Sequence, residues 1–81
     1  MEKRIGSVLI RIDNNSEVNL LNEILSSHSS IIISRQGIPL RDKGINLISL
    51  IIEGNTDEIG ALSGKIGRLN GISTKTVLLK N

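Results

Sequence analysis

The residues best suited to chemistry are few and scattered. One histidine, His28, sits among Ser26, Ser27, Ser29 and Ser30. Neighbours along a chain cannot converge as nucleophile, base and orienter, because such a set is gathered from separate elements. His28 therefore reads as a solvated histidine at a helix end. Asp57 and Glu58 are adjacent acids, which suit the positive end of a helix dipole rather than an acid–base pair across a cleft. No histidine or carboxylate cluster has metal-ligand spacing, and without cysteine there is neither a thiolate site nor a disulfide. No catalytic residue, metal site or cofactor is expected.

Two segments have the composition of binding sites. The first is Gly60-Ala61-Leu62-Ser63-Gly64-Lys65-Ile66-Gly67-Arg68. It fails as a phosphate loop: the glycine spacing is one residue short, and Ile66 stands where a magnesium-binding hydroxyl is required. The segment also lies within a predicted helix instead of before one. Gly60, Gly64 and Gly67 instead form one side of that helix, and each costs about 1 kcal/mol relative to alanine. A smooth face of this kind permits close approach by a backbone or a ligand, and Lys65 and Arg68 beside it could hold an acidic group. The second segment, Arg35 to Gly44, joins two strands and carries Arg35, Gly37 and Arg41. Arginines and backbone N–H groups at a turn suit a carboxylate or phosphate. The plainer reading is a polar hairpin loop whose Gly37 and Pro39 set the turn geometry.

These segments need elements to position them. Val8, Ile10 and Ile12 alternate along residues 4–13, which predicts a first strand. Val18, Leu21, Ile24 and Leu25 recur at helical spacing over about 16–27. Ile31-Ile32-Ile33 reads as a short strand closed by Gly37-Ile38-Pro39. A third strand spans about 45–53, and a helix with Ile59, Leu62, Ile66 and Leu69 on one stripe ends near Asn70-Gly71. A fourth strand covers about 72–79. The chain also repeats itself: Ile12-Asp13-Asn14-Asn15-Ser16-Glu17 recurs forty residues on as Ile52-Glu53-Gly54-Asn55-Thr56-Asp57. In both copies side-chain oxygens stand ready to accept the orphan N–H groups of a first helical turn. The order βαββαβ predicts a single ferredoxin-like α+β domain over residues 1–81. Its four-stranded antiparallel sheet has strands one and three at the centre, four and two outside, and both helices on one face.

Strand residues alternate between faces, so the face without helices should be polar. Here Ile5, Leu9, Ile45, Leu47 and Ile51 fall on it. Burial of each is worth roughly 1.5–3 kcal/mol, and such a patch marks an interface. The chain has 81 residues, fifteen Ile, eleven Leu, three Val and no aromatic residue. A core this small usually needs a staple, and without disulfides the remaining one is oligomerisation. A homodimer or homotetramer is expected, with sheets stacked face to face or joined edge to edge. Ten basic against eight acidic residues give a net charge of +2. Interspersed signs and the lack of aromatics on the central strands argue against nucleic acid. No membrane span or signal peptide is evident, so a cytoplasmic location is expected.

Several stretches resemble one known family. They are Arg35-Gln36-Gly37-Ile38-Pro39, Gly44-Ile45-Asn46-Leu47-Ile48-Ser49-Leu50, the run from Thr56 to Gly67, Gly71-Ile72 and Lys75-Thr76. Together they look like the small stand-alone regulators of iron-only hydrogenase systems. That family is similar to ACT-like domains and to the C-terminal domain of the nickel-responsive repressor, both ferredoxin-like and assembled as dimers or tetramers. The resemblance implies a regulatory or ligand-sensing module that answers to a small-molecule effector or a protein partner. The alternative is a structural interaction protein that docks on an enzyme without a small ligand. The repressor's nickel site does not carry over, since it needs several histidines and a cysteine where this chain has His28 alone. Asp13-Asn14-Asn15 also departs from the glycine typical of amino-acid-binding ACT domains.

Overall fold

The computed structural model describes residues 2–13 and 16–80. Its elements are β1 (Arg4–Asp13), α1 (Val18–Ser27), β2 (Ile32–Leu40), β3 (Ile45–Gly54), α2 (Thr56–Gly67) and β4 (Ile72–Leu78). The sheet is antiparallel in the order β2-β3-β1-β4. The expected ferredoxin-like α+β architecture is what the chain adopts.

Alternation explains the core. Val8 pairs with Leu50 and Ile10 with Ile48, so these side chains share one face. They pack with Leu21 and Leu25 of α1 and with Ile59, Leu62 and Ile66 of α2. No polar or charged residue is buried among the described residues. Gly6 serves close packing between strands: a Cβ there would lie 2.7 Å from the Val77 carbonyl oxygen. A backbone atom cannot yield as a side chain can, so only glycine fits.

Four expectations need correction. β2 does not stop at Gly37-Ile38-Pro39 but continues to Leu40, because Ile38 and Leu40 pair with Leu47 and Ile45. The turn comes later, as a 3-10 turn over Arg41–Lys43 closed by Gly44 at φ 68°, a left-handed conformation that favours glycine. Next, α2 ends at Gly67 with Arg68 as its C-cap, three residues before the expected Asn70-Gly71. The two helix starts also differ. Asn55 Oδ1 accepts the Glu58 N–H at 2.8 Å and Glu58 Oε1 accepts the Asn55 N–H at 2.9 Å, a complete capping box. By contrast α1 begins after Glu17 without a side-chain cap, and Ser16 Oγ is buried without a partner among the described residues. Glu17 Oε1 instead accepts the Asn70 N–H at 2.8 Å. Asn14 and Asn15, the rest of that repeat copy, lie outside the described residues. Finally, Val18 is 41% exposed and does not join the apolar stripe of α1.

Candidate functional site

Odd-numbered residues of β1 and β3 point away from the helices. Across the sheet this outer face runs in rows: Ile38, Leu47, Arg11 and Ser73; then Gln36, Ser49, Leu9 and Lys75; then Ser34, Ile51, Ser7 and Val77. Leu40 and Ile45 lie above these rows, and Ile5 below them. Both helices contribute instead to the core on the opposite face. The five residues expected at an interface do share this face. Ile5, Leu9 and Ile51 are 43%, 49% and 39% exposed, while Ile45 and Leu47 are half-buried. Sequence reasoning missed Ile38, Leu40, Val77 and Leu79, which enlarge the patch. The alternation Ile38-x-Leu40 was a signal for the first two, masked by Gly37 and Pro39. Val77 and Leu79 are 66% and 62% exposed. With Ile5, Gly6, Ser7 and Ile51 they line a shallow apolar cleft of about 170 Å³.

Charge on the face is balanced. Arg11 and Lys75 stand against Asp13 and Glu53, and Arg11 Nε donates to Asp13 Oδ1 at 2.9 Å. Both partners of that ion pair are about half exposed, so it contributes little stability.

The candidate binding residues divide into two groups. Arg35 and Gly37 belong to strand β2, with Arg41 in the turn after it, which corrects the expectation of one loop. Gly60, Gly64, Lys65 and Gly67 lie exposed on α2, with Arg68 at its end. α2 packs mainly over β4, at the sheet edge opposite β2, so the groups do not converge. Arg35 is already engaged: its guanidinium donates to Asn22 Oδ1 at 3.0 Å.

His28 sits at the end of α1 as expected, as its C-cap, but it is only partly exposed, and Nε2 is buried with no hydrogen-bond partner among the described residues. Burial, and then the nearby Lys65 charge, push its pKa below the ordinary value. Around it lies a cleft of about 180 Å³ formed with Ser27, Ser30, Ile31, Glu58 and Ala61. Ser27 Oγ donates to the Ile24 carbonyl, and Glu58 is committed to the capping box. No nucleophile–base hydrogen bond is therefore formed there. Among the described residues no group of three or more His, Asp or Glu could hold a metal. Nor is any described helix long and apolar enough to cross a membrane.

The class is that of ferredoxin-like α+β domains, here with one apolar sheet face that its own helices leave uncovered. Residues 4–76 match the family described as "TM1266-like: Iron-only hydrogenase system regulator, putative", and the chain belongs to that family. The structure is similar to that of the uncharacterized protein TM1266 from Thermotoga maritima. Identity there is 38% and the TM-score 0.92, over 98% of this chain and 100% of the other. An unknown protein from Galdieria sulphuraria shares the fold at 16% identity and a TM-score of 0.62, over 99% of this chain and 47% of that one. So does a formyltetrahydrofolate deformylase from Pseudomonas putida at 10% identity and a TM-score of 0.61, over 90% and 28%. The curated proteins yield no match.

Proposed function

We propose that the chain is a non-catalytic, ACT-like regulatory module of an iron-only hydrogenase system, acting in the cytoplasm as an oligomer built on its outer sheet face. The observation that carries this reading is that face, with Ile5, Leu9, Ile51, Val77 and Leu79 uncovered. Four strands about 4.8 Å apart and some ten residues long at about 3.3 Å each present roughly 600 Å². That approaches the ~800 Å² per partner of a standard interface. Balanced charge lets two copies of the face meet without net repulsion. A second copy is therefore the occupant.

Leu9→Lys and Ile51→Lys test this by sedimentation. Wild type should run at a multiple of 8.8 kDa and the variants should shift to monomer or precipitate. Wild type running as a dilute single 8.8 kDa particle sinks the proposal.

One observation favours the alternative, docking on an enzyme without a small ligand. Four clefts on the surface, the two above, one beside Leu9 and Lys75 and one beside Leu25 and Arg35, hold about 170 to 240 Å³, short of the roughly 300–1,000 Å³ of small-molecule sites. An effector site would then have to be completed by a second copy. A thermal-shift screen against amino acids, nucleotides and metals separates the two: a reproducible shift supports sensing, and silence favours docking.

A further inference from the structure

We infer that β4 is a receiving edge, which binds an extended acidic segment of another protein as a fifth strand of the sheet. Three observations carry this. In an antiparallel ladder, successive residues alternate between facing the paired strand and facing away from it. The Leu79 N–H donates to the Ile5 carbonyl at 2.9 Å and the Asp13 N–H to the Gly71 carbonyl at 2.8 Å. Odd-numbered residues of this segment therefore face β1, and Thr74 and Thr76 turn their backbone N–H and C=O outward. No described residue bonds to those groups.

The two edges also differ in protection. Natural sheets blunt exposed edges with bulges and prolines. β2 has both: a register shift between Ile32 and Ser34, and Pro39. By the same alternation Pro39 lacks its donor on the outward side, where a proline is tolerated and where it prevents pairing. β4 has neither a bulge nor a proline, only the charge of Lys75 as a guard, and pairs with β1 without interruption from Ile72 to Leu78. The Ser63 and Thr76 hydroxyls lie 2.9 Å apart and tie the strand to α2, so the edge is held in place. Thirdly, Val77 and Leu79 along this edge are 66% and 62% exposed.

Charge selects the occupant. Lys75 is the middle residue of β4 and its sole charged one. Two copies pairing antiparallel over the full strand would set Lys75 opposite Lys75, and like charges directly opposite are destabilising. A strand with a carboxylate at that position gains instead. An apolar residue two positions earlier would lie beside Val77. The recognised chemistry is an extended segment reading apolar–x–acid.

The test is an NMR titration of the intact protein with a capped seven-residue peptide of threonines, carrying glutamate at its centre and valine two positions before it. The control replaces the glutamate with lysine. The glutamate peptide should bind about 10-fold more tightly, with amide shifts centred on Thr74 and Thr76, and Lys75→Glu should invert the preference. Equal binding of both peptides, shifts centred on β2, or no saturation by about 1 mM would overturn the inference. It stands apart from the outer-face proposal: peptide failure with oligomer mass intact overturns the edge alone.

Discussion

Added methyl groups at Gly60 and Gly64 of α2 would meet nothing within 4 Å. Their cost is thus purely one of helix propensity, about 1 kcal/mol each. Gly60→Ala and Gly64→Ala should each raise the melting temperature by about 4–8 °C. If either variant also loses self-association or partner binding, the smooth face is in use. If neither gains stability, something already packs there. His28 gives a pH prediction with a definite sign. Its lowered pKa means the unfolded chain takes up the proton first as pH falls. The contribution of neutral His28 is complete above about pH 6.5 and declines below it, down to the folded pKa. His28→Gln should flatten that part of the stability profile. Identical slopes for the two proteins in melts below about pH 6.5 would count against it. None of this was legible around His28 in the sequence, which shows a residue's chain neighbours and not what α2 brings against it.

At the level of elements, the two halves of the repeat fold alike but start their helices differently. Asn55→Ala removes the side-chain acceptor of the Glu58 N–H while leaving its own backbone N–H to Glu58, and should destabilise the protein by about 1 kcal/mol in urea titration. Ser16→Ala should cost little, because its hydroxyl bonds to no described residue. Equal losses would mean that the repeat is symmetric after all. The periodicities of β1, β3 and α2 were legible because burial alone sets them. The start of β2 was legible at Ile32-Ile33, but its extension to Leu40 was not, since Gly37 and Pro39 carry turn propensity, and only pairing with β3 overrides it. Reading the strand as a loop wrongly gathered Arg35, Gly37 and Arg41 into one candidate site. The apolar outer face was legible in part, from the alternation in β1 and β3.

The whole molecule is small, with an aliphatic core and 81 residues to supply it. Association should therefore be part of its stability. Anything that binds only the folded state raises the melting temperature with concentration. Wild type should show that dependence, and Leu9→Lys should melt lower and independently of concentration. A wild-type melt unaffected by dilution contradicts assembly on the sheet. How two copies would meet on the face was beyond the sequence, because alternation shows which residues are uncovered and not the geometry in which two faces pack.

The unlike edges of the sheet have one more consequence. A chain of molecules growing edge to edge would need the β4 of each copy to pair with the β2 of the next. The bulge and Pro39 close that side, so growth by this route cannot start. Crowded solutions should hold closed assemblies of fixed size and no open-ended fibres.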